Sequence, residues 1–210
     1  MENLTIYNDV IQGSDKWHEL RKGSVGASSS KKVHSSTFKK YAFELVAATE
    51  STQVKDNFVS EAMERGTNLE PYAVKEFESR TGKEVSTTGL IQNKLWKGCH
   101  VSPDGLIYKD GIITEAIETK CPNSETHIGY LFEGKLPNEY KEQIWHTFTL
   151  IPTLEKMFFV SFDPRVEKNQ MFILELKRED IQKDIEKHEA ALSKFLKVVN
   201  LVKEKLNDSF

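Results

Sequence analysis

With 210 residues, 38% of them hydrophobic and none in a run of transmembrane length, the chain fits one α/β domain spanning 1–210 with a sizeable core, and no membrane protein is expected. Its two cysteines, Cys99 and Cys121, exclude a four-cysteine zinc or iron-sulfur site and fit a reduced, intracellular protein, whose polar N-terminus does not read as a signal peptide. The formal net charge of −3 looks wrong for nucleic-acid binding, yet between Lys16 and Tyr41 seven lysines and arginines face the single acid Glu19, enough to meet phosphates in a salt-dependent way.

Ser14 is a natural N-cap and Gly23 a natural residue just past a helix end, so a short helix is expected between them, with Trp17 and Arg21 on one face. The chain restarts at Ala27-Ser28-Ser29-Ser30, whose hydroxyls and free N–H groups resemble a helix N-terminus able to hold an anion. Arg21 and that terminus together suit a bidentate phosphate grip, although plain capping beside a core tryptophan explains the same residues. Met63, Leu69, Ala73, Val74 and Phe77 recur at three-to-four spacing and predict a helix over 60–81, stopped by Gly82. Glu70 stands just before Pro71, where the helix must kink or restart. There it can offer a carboxylate to a neighbouring site, or belong to a solvated acidic face. Strands are expected over 85–88, 90–92 and 96–101.

Residues 101–108 read as a strand kinked at Pro103 and Gly105. Asp110-Gly111 lies between two apolar runs, a hairpin signal because both residues tolerate positive φ. On the returning strand, 112–120, Glu118 and Lys120 share a face roughly 7 Å apart, and Thr119 points to the other. Asp104 then meets Glu118 and Lys120 at one end of the hairpin. Asp104, Glu118 and the main-chain carbonyl of Thr119 offer three oxygens to a hard divalent cation such as magnesium, with the other positions left to water and phosphate. Such an ion depresses the pKa of its bound water and offsets charge in phosphoryl transfer. Lys120 would hold or deprotonate that water; a free lysine titrates near ~10.4, and a cation with partial burial lowers that value. Because 29% of the chain is charged, this pattern alone also describes an ordinary surface hairpin.

A helix is expected over 137–150 with Pro137 at its first position and Tyr140, Ile144, Phe148 and Ile151 as its buried stripe. Gln143 flanks that stripe, where a neutral amide can serve a water or a phosphate. Residues 157–162 are apolar enough for a buried central strand, 171–176 form another, and Asp180 caps a long terminal helix.

In order, the chain carries W-x-x-x-R-x-G and A-S (Trp17, Arg21, Gly23, Ala27, Ser28), R-G-x-x-x-E (Arg65 to Glu70), S-P-D-G (Ser102 to Gly105), E-x-K-C-P (Glu118 to Pro122), Y-x-x-Q (Tyr140 to Gln143) and D-P-R (Asp163 to Arg165). This ordered set, over about 13–165, resembles the lambda exonuclease type of viral recombination nuclease, which includes the YqaJ-like enzymes of the PD-(D/E)XK superfamily. The resemblance implies an α/β fold with a central mixed β-sheet flanked by helices. It implies a 5′-to-3′ exonuclease on linear double-stranded DNA that leaves 3′ single strands. Asp104, Glu118 and the Thr119 carbonyl would hold one magnesium ion and Glu70 with Asp104 a second, manganese serving in their place. Lys120 and Gln143 would serve the attacking water. Arg21, Ser28 and Ser102 would bind phosphates, the terminal 5′-phosphate among them, with Trp17 supporting Arg21. It further implies a ring, commonly a trimer, a single-strand annealing recombinase as partner, and the bacterial host cytoplasm as location. Gly26 departs from the pattern, since many relatives have threonine there. Two other readings share these residues: an endonuclease of the restriction or repair type, which needs no 5′-phosphate pocket, and a non-catalytic end-binding protein.

Overall fold

A computed structural model describes residues 2–52 and 60–208. Strand β1 (Leu4–Tyr7), helix α1 (Asp15–Arg21), the short strand β2 (Val25–Gly26), a 3-10 segment (Ala27–His34) and helix α2 (Phe38–Glu50) come first. Helix α3 (Glu61–Thr81) leads to β3 (Leu90–Asn93), β4 (Cys99–Val101), β5 (Gly105–Lys109) and β6 (Ile112–Lys120). Helix α4 (Ser124–Glu133), a 3-10 turn (Asn138–Tyr140), α5 (Lys141–Leu150), β7 (Lys156–Phe162), β8 (Met171–Lys177) and α6 (Arg178–Asn207) complete the order.

The strands form two four-stranded sheets, β1-β3-β4-β2 and β5-β6-β7-β8, each mixed because β2 runs parallel to β4 and β6 parallel to β7. The expected mixed sheet between helices is therefore present as a pair of sheets. The hairpin turn forms as anticipated: Asp110 and Gly111 take φ of 51° and 74°, and β5 folds back on β6 with Gly105 opposite Ile117. That register brings Asp104, one residue earlier, level with Glu118. Strand β7 is interior and buried from Met157 to Phe162, as its composition suggested.

One core joins the sheets. Ile91 and Val101 from the first and Leu106, Ile113 and Ala116 from the second meet Ile144 and Phe148 of α5, with Phe195 and Val199 of α6 and Leu45 of α2 closing the far side. On the other face of the second sheet Phe77 of α3 lies 5.2 Å from Phe158, in a smaller cluster with Ala73 and Ile117.

Several local expectations are corrected. Residues 101–108 are not one kinked strand: Pro103 lacks an amide hydrogen, and the chain leaves the first sheet after Val101 and enters the second at Gly105. Residues 85–88 make only a bridge, Ser86 to Leu106. Helix α3 runs through Pro71 without restarting, which leaves the Thr67 carbonyl without its intrahelical donor. Pro137 precedes a 3-10 turn, and α5 begins only at Lys141. Helix α6 starts at Arg178, so Asp180 lies in its first turn rather than at the cap. Elements β1, β2, α2 and α4 had no sequence assignment. Among the described residues no helix is long and apolar enough to cross a membrane.

His100, His146 and His188 are buried in this core, and burial, the largest cause, pulls the first two down to about 3 and the last to about 2. Unfolded histidine titrates near ~6.5, so below that pH the unfolded chain binds more protons and stability is lost on acidification. A His146→Asn variant, whatever it costs at neutral pH, is expected to lose unfolding free energy less steeply than the parent, by about 1.4 kcal/mol per pH unit between about pH 6 and 4. Urea titrations across that range check this; parallel slopes would place the acid sensitivity elsewhere.

Candidate active site

Asp104 sits just before β5, past the last ladder pair. Its Oδ2 accepts from the Thr119 amide at 2.6 Å and from the Thr119 hydroxyl at 2.8 Å. The hydroxyl therefore turns toward Asp104 rather than away, against the simple alternation expected. A strand residue sends its N–H and C=O to the same edge, so the Thr119 carbonyl also leaves on the side where Asp104 lies.

Glu118 is 4% exposed and accepts an ion pair from the Lys120 ammonium. Burial is the largest influence on Glu118 and raises it to about 7; Lys120 opposes the rise, Asp104 adds to it, and a hydrogen bond from the Gln143 amide opposes it. Glu70, carried in on α3, is likewise raised to about 7, first by burial and then by the charges of Asp104 and Glu118, with Lys120 opposing. All five predicted residues, Glu70, Asp104, Glu118, Lys120 and Gln143, thus belong to one electrostatic neighbourhood drawn from α3, β6, α5 and the entry to β5.

Lys120 is pulled in two directions. Burial does work to lower it, but Glu118 and then Asp104 outweigh burial and hold it above the ordinary lysine range. Its ammonium also faces the Tyr140 ring, 5.1 Å from the centroid. In this arrangement Lys120 donates to Glu118.

Among the described residues no three acidic, histidine or cysteine side chains close into a ready cage for a metal ion. The donor set nonetheless fits a hard divalent cation that retains much of its own water. Two carboxylic acids raised to about 7 beside Asp104 mark a site short of positive charge.

The second group of residues lies alongside. Arg21 stacks on Trp17 with its guanidinium carbon 3.5 Å from the ring centroid. The Trp17 indole N–H is shared between the Gly89 carbonyl at 3.0 Å and the Ser102 hydroxyl at 3.1 Å. Ser102 therefore stands behind Trp17 as its hydrogen-bond acceptor and does not line the cleft. Burial lowers Arg21 to about 10, which leaves it cationic at neutral pH. Ser28 is exposed at the start of the 3-10 segment, which takes the place of the α-helical N-terminus read from the sequence. Trp17, Arg21, Ser28, Glu70, Asp104 and Lys120 all line one cleft of about 550 Å³.

That cleft also includes Arg65, to which the sequence reading gave no role, and Tyr140, which was expected in a buried helix stripe but lies half-buried in the 3-10 turn before α5. Arg65 donates through Nε to the Cys121 carbonyl at 3.5 Å. Its position five residues before Glu70 in the R-G-x-x-x-E motif was the available signal.

The Gly26 departure has a steric cause. A Cβ at Gly26 would come 2.6 Å from Nε2 of His100, whose ring is 3% exposed and whose Nδ1 lies 2.6 Å from the Ser24 hydroxyl. Here His100 fills the space beside Gly26.

A sequence profile of the YqaJ-like viral recombinase domain matches residues 16–153. The chain belongs to this family. An alkaline exonuclease from Laribacter hongkongensis, LHK-Exo, is 30% identical over 92% of this chain and 98% of its own, with a TM-score of 0.76. Its complex with dAMP matches equally well. A phage-related exonuclease from Haemophilus somnus 129PT shares the fold at 14% identity and a TM-score of 0.57, over 87% of this chain and 96% of its own. No curated protein matches the chain. The fold is of the PD-(D/E)XK type, and the family resemblance read from the six motifs holds.

Gly26→Ala is expected to cost about 1–3 kcal/mol through overpacking against His100. Most of that cost should vanish when Gly26→Ala is made in a His100→Ala background, a coupling that a double-mutant cycle of urea unfolding measures. Additive effects would show that the two sites do not share that space.

Proposed function

We propose that the chain is a metal-dependent 5′-to-3′ exonuclease on linear double-stranded DNA. The observation that carries this reading is the single cleft in which a carboxylate cluster with Lys120 adjoins an arginine stacked on Trp17. Arg21 and Ser28 bind the terminal 5′-phosphate, with Trp17 keeping the guanidinium plane fixed. Asp104, Glu118 and the Thr119 carbonyl would hold one magnesium or manganese ion, and Glu70 with Asp104 a second. Such ions, when bound, would supply an acidified water and offset the charge of phosphoryl transfer. Lys120 and Gln143 orient the attacking water by hydrogen bonds. Water adds to phosphorus, the P–O3′ bond breaks, and a 5′-mononucleotide leaves while the complementary strand remains as a 3′ overhang. The relative solved with dAMP, a mononucleotide of this kind, supports that product.

On this reading the protein forms a ring, a trimer by resemblance, through which duplex threads, so that topology supplies processivity. The exposed strand passes to a single-strand annealing recombinase, in the host cytoplasm.

Three measurements test the proposal. Linear duplex should be degraded from its 5′ ends in magnesium while a closed circle survives; cutting of the circle at low enzyme concentration would favour an endonuclease. Asp104→Ala or Glu118→Ala should abolish hydrolysis yet leave binding to DNA ends in a gel-shift assay, and near-normal degradation by either would place the site elsewhere. Arg21→Ala should erase the preference for phosphorylated over hydroxyl 5′ ends more than it slows the chemical step, read as a split between KM and kcat.

A further inference from the structure

One buried cluster takes no part in this chemistry. His34 closes the 3-10 segment that carries Ser28, His146 follows Gln143 by three residues on α5, and His188 lies on α6. His188 is fully buried and uses both ring nitrogens: Nδ1 lies 2.8 Å from His34 Nε2, and Nε2 lies 3.0 Å from His146 Nδ1. The His34 and His188 rings stack at 5.1 Å, and His146 meets His188 edge-on at 5.3 Å.

A neutral imidazole carries one N–H, so contacts in series acquire a direction. The remaining nitrogen of His146 makes no well-formed hydrogen bond among the described residues, but the ring faces the carbonyls of Val25 and His100, which only accept. This puts the N–H of His146 on Nε2. His146 Nδ1 then accepts from His188 Nε2–H, and His188 Nδ1 accepts from His34 Nε2–H. The imidazole chain runs beside the Ser28 segment and meets it twice, at Val25 just before it and at His34 at its end. Through His146 it also holds the helix of Gln143.

We propose that His188 is a positioning residue for the end-phosphate pocket: acting through His34 and His146, it keeps the Ser28 segment and the Gln143 helix in place, so that selection of a 5′-phosphate depends on it. This rests on the exonuclease reading above.

The groups around the chain decide how acid affects it. His188 faces His34 and His146; Glu142 of α5 faces His34, and His100 of β4 faces His146. Glu142 is the single acid among them and serves the exposed end. A second proton on His188 or His146 would point at an N–H already there and meet no counter-charge. The arrangement holds with neutral imidazoles, and acidification loosens the pocket through these bonds.

The readout is the ratio of initial rates on 5′-phosphorylated and 5′-hydroxyl linear duplex, in magnesium at pH 8, with folding checked by circular dichroism. Loss of folded protein scales both rates and leaves the ratio unchanged. His188→Leu removes both hydrogen bonds and should cut the ratio roughly tenfold. His188→Gln keeps one acceptor and one donor group and should stay within about twofold of the parent. Should the leucine variant not fold, His34→Ala at the exposed end removes one bond and should lower the ratio about threefold. A folded His188→Leu or His34→Ala with the parent's ratio overturns the proposal, as does a glutamine variant as impaired as the leucine one. A parent that shows no end preference would instead defeat the exonuclease reading on which it rests.

Discussion

Like charges are held together here by one short stretch of strand. Thr119 grips Asp104 with its amide and its hydroxyl, while Lys120, the next residue, pairs with Glu118. Without those bonds three carboxyl groups in a partly dry cleft would separate or take up protons. The cost shows in Glu118, where burial, the largest cause, and then the charge of Asp104 raise the carboxyl above its ordinary range against the pull of Lys120. The hairpin register sets Asp104 level with Glu118, β7 seals the strand from behind, and α3 and α5 bring Glu70 and Gln143 in from two sides. Each of these elements matters to the site because it keeps that stretch of β6 where it is.

The two sheets divide the labour. The second carries the carboxylates. The first, through Gly89 at the approach to β3 and Ser102 beyond β4, holds the Trp17 indole on which Arg21 rests. One hydrophobic core backs both, so the cation and the acids share a foundation rather than sitting on independent loops.

Features that follow from local chemistry were legible in the sequence. Asp110-Gly111 announced its turn, alternation put Glu118 and Lys120 on one face, Ser14 and Gly82 mark the helix ends predicted for them, and six ordered motifs identified the family. Features decided by distant partners were not. Thr119 turned toward Asp104 because that carboxylate lies off the end of the ladder, which period-two alternation does not encode. Ser102, read from the sequence as a phosphate ligand, accepts from the Trp17 indole as well, a contact across 85 residues of chain that no local pattern encodes. The acidification expected of Lys120 rests on a bound cation and burial; local pattern gives no weight to the carboxylates facing it, one of them sixteen residues away, which by themselves outweigh burial and raise it. Val85-Ser86-Thr87-Thr88 has β propensity but finds a partner only at Leu106, and Pro71 is tolerated because α3 is packed on both sides of it. Arg65 and Tyr140 acquired a place in the cleft only when α3 and the turn before α5 were seen to flank it.

The hydrogen bond from Trp17 to Ser102 has a metrical meaning. Ser102 is two residues from Asp104, so the seat under Arg21 and the acids of the second sheet are joined by a few rigid backbone bonds and not by a swinging arm. On the proposed function a strand end clasped at Arg21 would meet those acids at a set offset, as between the jaws of a calliper, and the stride along DNA would be dictated by covalent geometry, whatever the bases happen to be.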